Sequence, residues 1–433
     1  MPDLPLTFTD YREMKAKIHS QILQEIDLES LNKLQEKVAR TRVGEAIREL
    51  LHRDRTPLAL SERERMVNEI VDELFGLGPI EPLLADAAVS DILVNGPDRI
   101  YVERGGVLEK TELFFNDSQH LMRIIDRIVS RVGRRVDESS PMVDARLPDG
   151  SRVNAVIPPL ALDGPSLSIR RFGGHKLSVQ AYTDNGTLTK PMIDLLADCV
   201  KGKLNIMVSG GTGAGKTTLL NILSSFIPDS ERIVTIEDAA ELRLKQHHVV
   251  RLETRPPNIE GKGAVKQRHL VMNALRMRPD RIIVGEVRGE EAVDMLQAMN
   301  TGHEGSLTTI HANSPRDALS RLETMIAMAE LNLPDRAVRQ QIASAINLIV
   351  QVSRLPDGSR RVTNISEVTG MEGPVITTQD LFVFERSGYD EKNRVRGHFR
   401  PVGIRPKFTE KLESYGIRFD VDMFFKETAK GGR

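Results

Sequence analysis

Residues Gly210-Gly211-Thr212-Gly213-Ala214-Gly215-Lys216-Thr217 fit the pattern Gly-x4-Gly-Lys-Ser/Thr. The chemistry it suggests is the cradling of phosphate. Glycines let successive backbone N–H groups curl around phosphate oxygens, and the helix that follows adds the positive end of its dipole. Lys216 is placed to reach the β and γ phosphates, Thr217 to offer its hydroxyl to Mg2+, and Thr218 continues the binding turn. With no Asn-Lys-x-Asp base-reading motif in the chain, the expected cofactors are ATP and Mg2+ rather than GTP.

Three further groups could act on a bound phosphate. Glu237, Asp238 and Glu241 close an apolar run, Ile233–Ile236, so a carboxylate there can orient or deprotonate an attacking water; Glu237 is the first candidate. The apolar run Arg281–Val284 ends in Gly285-Glu286, with glycine at the usual Asp position of a P-loop enzyme. Glu286 is therefore expected to serve Mg2+ through a bound water rather than directly. His303 and His311 flank the run Ser306–Ile310; with only Glu304 as a third ligand they make a poor metal set, and a phosphate-sensing or coupling role competes with a structural one. No arginine stands obviously beside the phosphates, which makes Arg152, Arg170 and Arg171, far upstream, candidates for fingers reaching across a subunit boundary.

The elements that must position these residues follow from hydrophobic spacing. Residues 1–75 read as a helical domain, with Ile18, Ile22, Ile26, Leu31, Leu34 and Val38 at helical spacing and a break at Thr56-Pro57. At Gly76 the texture changes to a mixed α/β domain over 76–173. Its strands are expected at Asp91–Val94, Ile100–Glu103, Val107–Lys110, Val143–Leu147, Arg152–Ile157 and Leu167–Phe172. Its helix is capped at Asn116-Asp117-Ser118, carries Leu121, Ile125, Ile128 and Val132 on one face, and stops at Gly133. Residues 174–190 look like a polar linker or hinge.

From 191 to 433 apolar strands and helices alternate: Asn205–Ser209, Lys216–Phe226, Ile233–Ile236, Ala264–Met277, Ile282–Val284, Glu290–Met299 and Leu307–Ile310. This spacing signals a mostly parallel sheet covered by helices. The carboxyl ends of adjacent parallel strands lie together, so the phosphate loop, Glu237, Glu286 and the histidines should share one edge. Helices are expected at Arg316–Ala329 and Asp335–Ile346, followed from Val362 by irregular β structure.

The chain's 433 residues carry 60 Lys+Arg against 61 Asp+Glu, so no global field draws it to nucleic acid or an anionic membrane. With 4% aromatics and no Trp, stacking platforms for single strands are scarce. Cys199 is the only cysteine, which excludes an internal disulfide and suits a reducing compartment. The opening residues lack a signal peptide's pattern and no window has the length of a spanning helix, so the chain reads as cytosolic with no membrane insertion.

Taken together, Ser209–Thr217, Ile233–Asp238, Arg278–Arg288 and Thr301–Pro315 resemble the secretion-ATPase superfamily of type II and type IV systems. The closest resemblance, over about Gly76 to Phe384, is to the CpaF-type ATPase of tight-adherence pili. In that family these stretches are the Walker A motif, the Asp box, an atypical Walker B motif that also lacks the Asp, and the His box. By position Glu237 matches the catalytic glutamate, Glu286 the Walker B glutamate, and His303 and His311 the His box; Arg152 and either Arg170 or Arg171 resemble the arginines that an N-terminal domain offers to the nucleotide. The resemblance implies a RecA-like P-loop ATPase domain joined to a mixed α/β N-terminal domain, after a helical segment outside the resemblance. It further implies a homo-hexameric ring, cytoplasmic and peripheral at the inner membrane, working on platform proteins of a pilus or secretion machine. A ring helicase and a nucleotide-gated scaffold are the rivals. The first should show a basic or aromatic strand-binding loop, yet the loop Arg255–Lys266 offers Arg255, Lys262 and Lys266 and no aromatic; the second has no need of Glu237 and Glu286.

Overall fold

The computed structural model describes residues 8–25, 35–53, 58–171, 178–257, 261–329, 333–418 and 420–425. Two compact units divide the chain, Met1–Gly174 and His175–Arg433.

In the first unit, helices α1 (Phe8–Glu25), α2 (Glu36–Arg53) and α3 (Leu60–Phe75) bury Ile18, Ile22, Val43, Ile47, Met66 and Ile70 in a core of their own. Val38, expected on that face, is 42% exposed; Ile26, Leu31, Leu34 and Thr56-Pro57 lie outside the described residues. The change of texture at Gly76 falls inside this unit. Beyond it α4 (Glu81–Ala85) leads into β1 (Val89–Asn95), β2 (Ile100–Arg104) and β3 (Val107–Lys110), then α5 (Ser118–Arg131), then β4 (Met142–Arg146), β5 (Arg152–Val156) and β6 (Ser166–Arg170). The strands form an antiparallel sheet in the order β3-β2-β1-β6-β5-β4. Asp117 caps α5 by accepting from the His120 N–H at 2.7 Å, and the helix buries Leu121, Ile125 and Ile128 against the sheet. Val132, expected on the same face, is 41% exposed because the helix has ended before it. The last turn of α3 is tied to α5. Arg127 donates to the carbonyls of Glu73 and Gly76 at 2.9 and 2.6 Å, satisfying acceptors that a helix end leaves open.

The second unit begins inside the stretch expected as a linker. Residues 172–177 lie outside the description, but from Ser178 the chain is folded: α6 (Val179–Asp184) buries Tyr182, and the turn after it buries Leu188. Two apolar anchors in a polar stretch are enough to fix it to the core. There follow α7 (Lys190–Lys201), β7 (Ile206–Gly210), α8 (Lys216–Ser224), β8 (Ile233–Glu237), β9 (Val249–Glu253), α9 (Gln267–Ala274), β10 (Arg281–Val287), α10 (Glu291–Asn300), β11 (Leu307–Ile310), α11 (Pro315–Ala327), α12 (Asp335–Ala345), β12 (Leu348–Arg354), β13 (Arg360–Glu372), β14 (Val375–Tyr389), β15 (Val395–Pro401) and α13 (Thr409–Ser414).

These strands make one nine-stranded sheet in the order β15-β14-β13-β12-β7-β11-β10-β8-β9. From β12 to β9 every pairing is parallel; from β12 to β15 every pairing is antiparallel. Side chains alternate between the sheet's faces, so Ile206 and Val208 join one buried cluster and Met207 the other, as Ile283 does against Ile282 and Val284. The tail from Val362, expected as irregular, is a regular meander of long strands. Register shifts at Ile365/Ser366, Val368/Gly370 and Arg386/Gly388 interrupt its period-two pattern. No helix among the described residues is long and apolar enough to cross a membrane.

Candidate active site

Parallel pairing brings the chemistry to one edge of the second unit's sheet. β7 runs straight into the loop 210–217, and its neighbours β11, β10 and β8 end beside it at His311, Glu286 and Glu237. The loop's curl depends on Gly213 and Gly215, whose φ values of +68° and +99° belong to the left-handed region. Gly210 is required for another reason: a Cβ there would stand 2.5 Å from the Val352 carbonyl oxygen on β12. Thr212 is exposed on the outer turn and Ala214 packs into the core beneath it.

Lys216 opens α8 with its side chain only 11% exposed; Nζ donates to the Gly211 carbonyl at 3.2 Å and lies 4.0 Å from Glu286 Oε1. Burial pulls its pKa below the ordinary lysine value, against the opposing pull of Glu286. A cation in so confined a place favours an anion. The Thr217 hydroxyl has no hydrogen-bond partner among the described residues. Among those residues, no three His, Cys, Asp or Glu side chains are grouped to hold a metal alone. A free hydroxyl one residue after the lysine that lies 4.0 Å from Glu286 therefore fits Mg2+ arriving with phosphate oxygens, with Thr217 and Glu286 as the residues that would hold it.

Glu237 is the buried carboxylate of the set, 3% exposed. Oε2 accepts from the N–H groups of Glu241 and Leu242 at 2.7 and 3.0 Å, whereas Oε1 is buried with no partner. Burial pushes its pKa above the ordinary glutamate value, partly offset by those two N–H groups. An unpartnered acceptor in a desolvated place is what a water-orienting group needs. Asp238 is differently engaged, held at 3.2 Å by Arg288, which also grips Glu286 Oε2 through Nε at 3.0 Å and Nη2 at 2.6 Å. Arg288 therefore yokes the two strand ends, a role that its neutral-looking place after Val287 did not signal.

The histidines separate. His311 follows β11 at the loop's edge, with Ile310 paired to Ser209. His303 precedes β11, whose first residue, Leu307, pairs with Ile206 at the start of β7; it lies at the opposite end of the sheet from the phosphate loop. Four strand residues at ~3.3 Å each keep the two apart. The strand does not bring His303 to the phosphate loop of its own unit, and its ring Nδ1 is buried without a partner among the described residues.

In the first unit, Arg152 and Arg170 are direct cross-strand partners on β5 and β6, and Arg170 Nε donates to Asp91 at 2.9 Å. Arg171 is spent on backbone: Nη1 donates to the carbonyls of Asp86 and, at 3.4 Å, Val89. These contacts brace the chain between α4 and β1.

The second unit also supplies arginines of its own, contrary to the expectation from sequence. Arg354 ends β12 and Arg360 begins β13; Arg360 Nε donates to the Gly213 carbonyl at 3.0 Å, and Arg354 Nη1 lies 3.8 Å from where a Gly213 Cβ would stand. Neither was visible in spacing, because the turn that brings them back to the loop is about 140 residues downstream.

The chain matches the family model for type II/IV secretion system proteins over residues 73–396. It belongs to that family. A protein of Mycobacterium tuberculosis named for conjugal transfer is 42% identical over 310 residues, spanning 70% of this chain and 87% of that one. The type IV secretion system protein PtlH of Bordetella pertussis is 34% identical over 330 residues, 69% and 96% of the two chains. Among solved structures, the VirB11 ATPase of the Brucella suis type IV secretion system, in complex with sulphate, is 28% identical with a TM-score of 0.37, covering 69% of this chain and 95% of that one.

Proposed function

We propose that this member of the type II/IV secretion family hydrolyses ATP to drive a pilus or secretion machine. The observation that carries the reading is the shared edge. A glycine loop, a confined Lys216, a free Thr217 hydroxyl, Glu286 and a buried Glu237 with an unpartnered oxygen supply phosphate binding, cation contact and water orientation in one place. When bound, Mg2+ would neutralise charge developing on the phosphates. Lys216 holds the β and γ phosphates, Glu286 and Thr217 fix the cation's position, and Glu237 accepts a hydrogen bond from the attacking water.

Membership in the family and the conjugal-transfer and secretion names of its relatives support mechanical work on a transport assembly. Within the family, the sequence resemblance favours the CpaF type of tight-adherence pili. We infer a homo-hexamer, cytoplasmic and peripheral at the inner membrane, in which Arg152 and Arg170 complete a neighbour's site. A nucleic-acid motor is less favoured: in the loop expected to carry a strand, Lys266 is engaged with Glu290 at 3.0 Å and Arg255 Nε with the Gly263 carbonyl at 2.7 Å.

Steady-state phosphate release, measured alone, with membrane platform protein and with single-stranded DNA, tests the reading. Turnover abolished in Lys216→Ala and raised by the platform protein is expected. Turnover raised only by DNA would favour a helicase, and tight ATP binding with no turnover in any mixture would favour a scaffold.

A further inference from the structure

The two arginines on the phosphate loop belong to a hairpin that none of the quoted motifs contains. β12 pairs with β7 in parallel register as far as Val352 opposite Gly210, so its next residues run on beside the loop. The chain then turns at 355–359 and returns with Arg360 directly opposite Arg354. Directly opposed residues of an antiparallel pair share one face, so both guanidinium groups lie on the same side. Like charges in that relation destabilise a strand pair. An anion held between them would favour the arrangement.

The hairpin is also firmly built. Leu355 N–H donates to the Ser359 carbonyl at 2.8 Å, Asp357 Oδ1 accepts from the Ser359 N–H and hydroxyl at 3.0 and 2.6 Å, and Asp357 Oδ2 accepts from the Val395 N–H on β15 at 2.7 Å. Arg360 crosses Gly215, where a Cβ would stand 3.2 Å from its Cδ, and spends Nε on the Gly213 carbonyl. Its two terminal nitrogens have no hydrogen-bond or ion-pair partner among the described residues. A planar cation, anchored by one nitrogen to a phosphate loop with two donors left over, matches a phosphate oxygen pair.

We propose that Arg360, carried by the β12–β13 hairpin with Arg354 beside it, is a phosphate-binding residue that acts within its own subunit on the triphosphate held by the loop 210–217. This rests on the reading of that loop as the ATP site and adds a second cation to Lys216. It also separates two tasks: Arg360 grips the ligand in every subunit, while the first unit's arginines are left for coupling.

Equilibrium binding of Mg2+-ATP and of Mg2+-tripolyphosphate to the full chain tests it at fixed ionic strength, with Lys216→Ala as the control. Arg360→Ala should weaken both ligands at least tenfold, Arg360→Lys should restore part of the loss, and Arg354→Ala should weaken both by a smaller factor. The melting temperature of unliganded Arg360→Ala should stay within a degree or two of the parent, since the side chain is exposed. Unchanged affinity for both ligands overturns the proposal. Loss for ATP with none for tripolyphosphate also overturns it, because the residue would then read the base; equal losses in the Ala and Lys variants would make Arg360 only a brace on Gly213. If the parent chain binds neither ligand, the ATP-site reading fails first and this inference with it.

Discussion

A Cβ atom placed on Gly285 stands 2.8 Å from Cγ of Glu237 on the neighbouring strand. β8 and β10 pair in parallel with Ile236 opposite Val284, so the next residues on each strand are Glu237 and Gly285. The glycine at the usual Asp position is therefore a steric condition for the buried glutamate. An Asp there would push Glu237 off its two backbone donors, and the strand's own carboxylate stands one residue on, at Glu286.

Gly285→Asp is accordingly expected to lose turnover rather than gain it, with kcat falling at least about tenfold (~1.4 kcal/mol). ATP affinity should change by less than a few-fold, because the loop and Lys216 are untouched. Single-turnover kinetics with binding measured in parallel will separate the two, and a Gly285→Asp chain of parental kcat would remove Glu237 from the chemistry.

Glu237→Gln tests the same residue without a steric change. It should bind ATP and not turn it over. Burial raises the pKa of Glu237, so the folded chain holds this proton to a higher pH than the unfolded chain does. The group's contribution to stability is greatest below the unfolded value and is lost as pH rises through the folded one. Gln has no such loss, so the melting temperature of Glu237→Gln minus that of the parent should become more positive from mildly acidic pH towards neutrality. A difference that is flat or falls with pH would contradict the raised pKa.

Local sequence carried the strand–loop–helix at Ile206–Ser224, the strands ending in Glu237 and Glu286, and the helix Ser118–Arg131, because each rests on period, caps and glycine within a few residues. β12 was missed because Leu348–Val352 is buried on both faces and shows no alternation, following a helix without a clear stop. Tyr182 and Leu188 were hidden in a polar stretch, and Arg288, Arg354 and Arg360 act through contacts that spacing does not encode. The His303–His311 pairing shows the opposite limit: the motif groups two histidines that a strand holds apart.

Arg170 and Arg171 are adjacent in sequence and should behave differently. Arg171 satisfies the carbonyls of Asp86 and Val89, so Arg171→Ala should destabilise the first unit by about 1–3 kcal/mol while the folded chain keeps its kcat. Arg170 pairs with Asp91 across the sheet and its side chain is 65% exposed; Arg170→Ala should leave the melting temperature nearly unchanged and cut kcat at least about tenfold. Thermal melts beside steady-state rates decide between them, and the reverse pattern would exchange the two roles.

The ring and its cross-subunit arginines stand or fall on complementation. An arginine finger is worth ~10³–10⁵ in rate where it acts, so Arg170→Ala protomers should be nearly inactive if Arg170 reaches a phosphate, as Lys216→Ala protomers should be for want of a working loop. Each retains what the other lacks. In mixed rings, an interface that pairs the intact loop of one with the intact Arg170 of its neighbour regains a complete site. For a random equal mixture of two variants, about one interface in four has that pairing, so activity should rise towards roughly a quarter of the parental rate if sites fire independently. Recovery must depend on exchange: mixing before assembly should restore it, and mixing rings already locked by nucleotide should not. Mass measurement of the mixed particles fixes their composition. No recovery in rings shown to be mixed would place Arg170 on its own subunit's nucleotide or on none, and the first unit would then influence hydrolysis only through its position.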